Sequence, residues 1–253
     1  VKGKTWIQAG WPPVSAVILL LLLWQLAVSG GWVEGWLLPS PIQIAREAWL
    51  ALPRIGMHTV ATLRITLLGF VLGAGIGIAL ACLLHLVPLL KAALYPLLIV
   101  SQNVPMIAVG PLLIIWFGFG ILPKLILIVL VCFFPVCMST LDGFARTDRT
   151  TYDYMRMLGA GKYQLFAKLE LPYALPFVFS GLKISATYSV MGAVIAEWLG
   201  GSEGLGYYMN LQKSAYRADR EFIAIVIIVA LSVLFWRLIV WLEKRLIRWN
   251  VKR

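Results

Sequence analysis

Long apolar runs separated by short polar breaks cover nearly the whole chain, and their lengths set the expected fold. A bilayer core is crossed by about 20 mostly apolar helical residues. Runs of that kind, ended by charges and prolines, predict an all-α polytopic transmembrane bundle of about six spans, near 13–30, 60–86, 89–116, 122–142, 174–197 and 222–243. The third contains Pro105 and Pro111 and either carries them internally or is broken there. In 37–53, Ile44, Ala48 and Leu52 recur at helical spacing with Arg46 and Glu47 on other faces. That pattern fits a helix lying along the membrane surface as well as a plain connector. Gly69, Gly73 and Gly77 form a stripe in the second span where another helix can approach closely. The expected organisation is an N-terminal transmembrane helix over 1–36, an interfacial connector over 37–59, and a core over 60–253 holding a polar insert at 143–172.

Composition agrees with the pattern. The 253 residues are 61% hydrophobic and 13% charged, with mean hydropathy +0.88, too few charges to coat a soluble globule of this size. A net charge of +11 raises nucleic acid as a partner, but the basic residues cluster in loops and at the termini and no aromatic-interleaved basic patch accompanies them. The positive-inside bias explains the charge instead. Lys2, Lys4, Lys244, Arg245, Arg248, Lys252 and Arg253 put both termini in the cytoplasm, and Arg146, Arg149, Arg156, Lys162 and Lys168 put the insert there too. Arg46, Arg54, Lys213, Arg217 and Arg220 stand against the bias, with Glu47, Asp219 and Glu221 as available pairing partners. Cys82, Cys132 and Cys137 lie inside apolar runs without metal-ligand spacing and read as small buried hydrophobes. The start of the chain resembles a cleavable signal, yet the further spans favour an uncleaved first helix.

The polar insert is the most distinctive stretch. Over 146–172 it reads as a short helix, a turn at Gly159, and a second helix ended by Pro172, because proline lacks the N–H that continues a helix and restricts Leu171 before it. Tyr152, Tyr154, Met155, Met157 and Leu158 sit beside Asp153 and Arg156. An aromatic and methionine-rich patch within a charged rim is the composition of a docking surface, set against a bland cytoplasmic loop.

This segment resembles the signature of permease subunits of type I ATP-binding-cassette importers, E-A-A, three residues, Gly, nine residues, Ile-x-Leu-Pro. Asp153 stands at the glutamate, Tyr154 and Met155 at the alanines, Gly159 at the glycine, Leu169 at the isoleucine, and Leu171 and Pro172 close it. The departures at the alanines fit the branch serving sulfonates, taurine, nitrate and thiamine-pyrimidine precursors. The resemblance runs from about residue 37 to 253 and includes LPSP (38–41), TLRITLLGF (62–70) and AEWLGGSEGLGYYM (196–209).

The resemblance implies a bacterial inner-membrane permease whose 143–172 loop docks on a separate ATPase, with Asp153, Tyr154, Met155, Gly159, Ala160, Leu169, Leu171 and Pro172 as coupling residues. It also implies two ATPase copies that use ATP and Mg, a second permease copy forming a homodimer, an external solute-binding protein, and no cofactor on this chain. Over 101–144 the resemblance is greatest to permeases associated with hydroxymethylpyrimidine-type precursors.

The residues themselves support part of this. GAGK at 159–162 fails the phosphate-loop pattern G-x-x-x-x-G-K-[ST], since Arg156 occupies the first glycine position and Tyr163 the Ser/Thr position. The chain is therefore not expected to hydrolyse ATP. Gln102 and Asn103, beside Pro105, are candidates to line a substrate path, against a role in interhelical hydrogen bonds. Glu197 divides between loop anchoring and substrate contact, and Arg64 between Glu197 and an anionic substrate. Trp116 and Phe119 are placed to stack on a flat ring or to join an interfacial aromatic belt. Lys183 and Arg237 are expected to snorkel, and His58 and His85 carry no assignment. A polytopic enzyme lacks a catalytic constellation, with no paired histidines and no clustered acids. A carrier working alone calls for more ionisable groups in the spans and would transport without ATP.

Overall fold

The computed structural model describes residues 6–247, with side chains from Val14 onward, and among them every regular element is helical. In chain order these are α1 (Trp6–Ser29), α2 (Pro41–Leu86), α3 (Pro88–Ser101), α4 (Met106–Phe117), α5 (Ile121–Ala145), α6 (Arg149–Met157), α7 (Lys162–Leu165), α8 (Leu171–Gly200), α9 (Leu205–Ser214) and α10 (Ala218–Leu246).

Helix α5 sits between α2 and α8, with α10 against both of those. Small residues make this possible. A Cβ at Gly73 would lie 2.7 Å from Cys132 Cβ, one at Gly77 2.6 Å from Phe133 O, and one at Gly69 would overlap the Ile128 side chain. The predicted glycine stripe is thus the face of α2 that packs on α5, where backbone contact replaces side-chain interdigitation. Buried hydroxyls bond to helix carbonyls, Thr140 donating to Val136 O at 2.7 Å and Ser185 to Cys132 O at 2.7 Å. Cys132 and Cys137 are fully buried and Cys82 is half-buried, all three unbridged.

Among the described residues four helical stretches are long and apolar enough to span a bilayer, and the α3–α4 pair makes a fifth if it counts as one span. That pair bends by 102° between Ser101 and Met106. Pro105, extended at the start of α4, accounts for the break, so the third span is interrupted rather than continuous. A shorter apolar helix, Val14–Ser29, supplies the sixth expected segment.

Two expectations need correction. The connector and the second span are one 46-residue helix, entered by Ser40, whose hydroxyl accepts from Gln43 N at 3.2 Å, with Pro41 in the first turn. Ile44 and Ala48 pack against a cluster of Ile55, Leu205, Tyr208 and Ile223, so part of the 37–53 apolar face meets protein. Likewise, Pro172 does not stop a helix. From Lys162 to Gly200 the chain is continuously helical for 39 residues, through a π-helical turn at Phe166–Glu170. The wider turn absorbs the hydrogen bond that Pro172 cannot make and relieves its ring's clash with the preceding turn.

Candidate functional site

Two polar assemblies lie at opposite ends of the bundle, joined by α2. At one end the α5–α6–α7 connection builds a small exposed structure. Asp148 caps α6 by accepting from Thr151 N at 2.9 Å and from the Thr151 hydroxyl. These bonds, the hydroxyl's foremost, hold its carboxyl below the ordinary aspartate range.

The helix ends in a Schellman arrangement, with Ala160 N donating to Met155 O and Gly159 N to Arg156 O, both at 3.0 Å. Gly159 has φ +87°, a left-handed value that glycine alone adopts cheaply, and space for a side chain is open there. No residue of α6 is buried, and Met157 (78% exposed), Leu158 (70%) and Tyr163 (82%) face outward beside Tyr154. The eight motif residues therefore fall in one segment. Asp153, Tyr154 and Met155 are on α6, Gly159 and Ala160 form its cap, Leu169 lies in the π turn, and half-buried Leu171 and Pro172 begin α8.

Beside this segment stands a residue that sequence reasoning left unassigned. His85, in the last turn of α2, stacks on Phe144 near the end of α5 (4.4 Å between centroids, 21° between planes). Its Nε2 lies 3.0 Å from Glu170 Oε2 in the π turn, and because an ionised carboxylate only accepts, that nitrogen is the donor. Nothing in the local sequence signals partners 59 and 85 positions away.

At the opposite end, EWLGGSEGLG (197–206) closes on itself and on α2. Glu197 is 2% exposed, and the Thr62 hydroxyl lies 2.8 and 2.9 Å from its two oxygens. Gly206 N also donates to it at 2.9 Å, while Leu205 N donates to Thr62 Oγ1 at 2.8 Å. Gly204 N donates to His58 Nδ1 at 3.2 Å, so this histidine is engaged as well. Gly204 has φ +103°, and a Cβ there would collide with the Glu197 carboxylate. Glycine is required both for the turn and for the approach. The geometry is that of a loop anchor.

A further cluster ties the start of α2 to the start of α10. Arg217 lies 2.8 Å from Glu47 and 3.0 Å from Asp219, and Arg220 lies 3.3 Å from Glu47. Of the charges that opposed the positive-inside bias, Arg217 and Arg220 are thus paired with Glu47 and Asp219, while Arg46, Arg54 and Lys213 have no ion pair within 4.0 Å among the described residues.

The remaining candidates separate. Arg64 lines a pocket with Lys124, Ser202 and Glu203, next to Glu197, and neither cation has an ion-pair partner within 4.0 Å among the described residues. Gln102 lies elsewhere, in a cleft of about 360 Å³ between the α3–α4 break, Phe133, Phe134 and Tyr188. Asn103 donates to Ile99 O at 3.1 Å and caps its own helix. Trp116 is exposed on α4, and Phe119 is exposed at a pocket mouth shared with Trp198 and Tyr207. Lys183 does not snorkel: it pairs with Glu243 of α10 at 3.1 Å, because α10 brings a carboxylate to it within the bundle.

The family described as binding-protein-dependent transport system inner membrane component matches residues 73–248. The formylaminopyrimidine transport permease protein ThiX of Halalkalibacterium halodurans is 36% identical over 95% of this chain and 96% of its own. SsuC of Bacillus subtilis, a permease protein named for aliphatic sulfonates, is 32% identical over 92% and 85%. A solved chain of an amino acid ABC transporter, crystallised with histidines, superposes with TM-score 0.66 at 18% identity over 79% of this chain and 97% of that one, which supports the fold. On the family match, the full-length relatives and the helical architecture together, the chain belongs to the binding-protein-dependent inner membrane components, the permease subunits of type I ABC importers.

Proposed function

We propose that this permease forms half of a pathway made with a second, identical copy, and that α6 is its coupling helix, seated on a separate ATPase that binds ATP and Mg. Both termini and α6 face the cytoplasm, a solute-binding protein delivers cargo at the α9 end, and this chain binds no cofactor. The observation that carries the reading is α6 itself, a capped helix with no buried residue and an outward aromatic and methionine face. Such a surface is left uncovered in a monomer because a partner covers it.

The cargo is a thiamine-pyrimidine precursor of the hydroxymethylpyrimidine type. Similarity to ThiX over nearly the full length supports this, and so does the cleft where the Gln102 amide stands opposite Phe133, Phe134 and Tyr188, groups suited to a flat heterocycle. A second reading, an anion such as an aliphatic sulfonate, is favoured by the unpaired Arg64 and Lys124 in one pocket and by the similarity to SsuC. Uptake of labelled hydroxymethylpyrimidine and of labelled taurine into liposomes holding the purified complex separates the two. Gln102→Ala is expected to impair pyrimidine uptake with ATPase association retained, and Arg64→Gln to impair only sulfonate uptake. Saturable uptake of taurine alone, unaffected by Gln102→Ala, would replace the first reading with the second.

A further inference from the structure

The coupling segment is joined covalently to two spans only. Residues 146–148 lead from it back into α5, and α7 with the π turn leads on into α8. Helix α2 lies far away along the chain, yet it is pinned at its last turn and again near the middle of its length. His85 holds its last turn to Glu170 of the π turn and to Phe144 of α5. Thr62 and His58 hold its other part to Glu197 and to the backbone of the 204–206 turn. Positions 62 and 85 are one uninterrupted helix, which at 1.5 Å per residue separates the two ties by about 35 Å.

The node around His85 is built for holding. The imidazole forms a triangular aromatic group with two phenylalanines, Phe166 lying 6.2 Å from it and Phe144 and Phe166 5.8 Å from each other. Only 21% of the His85 side chain and 14% of the Glu170 side chain is exposed. A carboxylate so placed near the end of a span needs a donor, and His85 is its donor in this structure.

We infer that His85 and Glu170 are a positioning pair that fastens α2 to the coupling segment, making α2 a rod that carries movement of α6 to the Glu197 anchor at the opposite end. This rests on α6 being the coupling helix. Without the pair, displacement of the π turn still reaches α5 and α8, but α2 follows only through its packing on them. ATP hydrolysis then continues while the far end of the bundle responds incompletely. The two ties and the helix between them form a contiguous physical connection, and its energetic coupling is open to measurement.

The test uses the complex purified from membranes with its ATPase and reconstituted in liposomes. Two variants are compared with wild type, His85→Phe, which keeps the ring stack and removes the donor, and Glu170→Met, which removes the acceptor. Both are expected to retain the co-purifying ATPase and to lower solute imported per ATP hydrolysed about tenfold, the size of a lost charged hydrogen bond. Rescue comes from a reducible bifunctional thiol linker between cysteines in His85→Cys/Glu170→Cys, on a background where Cys82, Cys132 and Cys137 are alanine. Linking is expected to restore import per ATP, and reduction to remove it again.

Unchanged import per ATP in both single variants would overturn the inference, leaving the pair as packing. A linked protein that is inactive and recovers on reduction would overturn it too, since the pair would then have to open during the cycle. Absence of any ATPase from the wild-type preparation would instead overturn the coupling reading, and this inference with it.

Discussion

The two ends of the bundle treat polar groups in opposite ways. At the α9 end the Glu197 oxygens, the Thr62 hydroxyl and the amides of Leu205 and Gly206 satisfy one another and are closed off from solvent. At the α6 end the helix satisfies its own termini through Asp148 and Gly159 and turns Tyr154, Met157 and Leu158 outward. A carboxylate that has used its acceptors internally is an anchor, whereas apolar side chains with nothing over them await a partner. Both regions contain a glycine at positive φ, Gly159 and Gly204, yet substitution should act through different physics at each.

The sharpest break in the comparison is Gly159→Arg. Space is open around Gly159, so the folded bundle bears only the left-handed strain, about 1 kcal/mol confined to an exposed turn. The bulk and charge fall on the face proposed to dock on the ATPase. Solute uptake and cargo-stimulated ATP hydrolysis should be abolished while the thermal midpoint of the permease in detergent stays near wild type. Normal stimulation of hydrolysis would remove α6 from the coupling role.

Changes at the other end should invert this signature, with stability lost first. Glu197→Ala leaves the Thr62 hydroxyl and the Gly206 amide without their acceptor in a buried site, at a cost of about 2–5 kcal/mol. Gly204→Ala adds strain at φ +103° and a collision with the carboxylate. Both should lower the thermal midpoint and speed amide exchange across Leu205–Ser214, with ATPase association preserved. Unchanged exchange in that helix would mean the anchor does not hold it.

What could be read from the sequence follows the same division. The spans were legible because lipid demands long apolar helices, and the α6 segment because its spacing is local, from Asp153 to Pro172. The glycine stripe on α2 was legible as packing since small residues at every fourth position leave little else to do. Continuity of the helix through Pro172 was not, because a π turn depends on how Phe166–Glu170 packs rather than on any residue type. His58, His85 and Lys183 found their partners across elements 60 to 146 positions distant. Single histidines and lysines carry no pattern that announces such a partner.

Midway between the extremes is the Lys183–Glu243 pair, half-buried between α8 and α10. Lys183→Met strands the Glu243 carboxylate and should cost about 1–3 kcal/mol in detergent. Lys183→Met/Glu243→Leu should recover most of that, because removing both charges also removes the desolvation penalty. A double variant no more stable than the single would show that the carboxylate was solvated all along.

The smallest expected effect is at the Asp148 cap, and it tests whether the α6 end is preorganised before any partner arrives. Its carboxyl is held below the ordinary range by the Thr151 hydroxyl and amide, so the ionised form is favoured by the folded helix. The capping contribution is therefore fully present above the unfolded aspartate value, about 3.9, and is lost as pH falls through the lowered folded value. Amide exchange at Thr151, corrected for its intrinsic pH dependence, should show protection that declines only below that range. Asp148→Ala should exchange faster at neutral pH with no decline of its own. Since the cap is exposed, the change should remain within the first turn of α6 and leave the Glu197 anchor's exchange untouched. If protection at Thr151 is the same in both proteins, the helix is ordered by its glycine end alone, and the preorganisation of the docking face lies with Gly159.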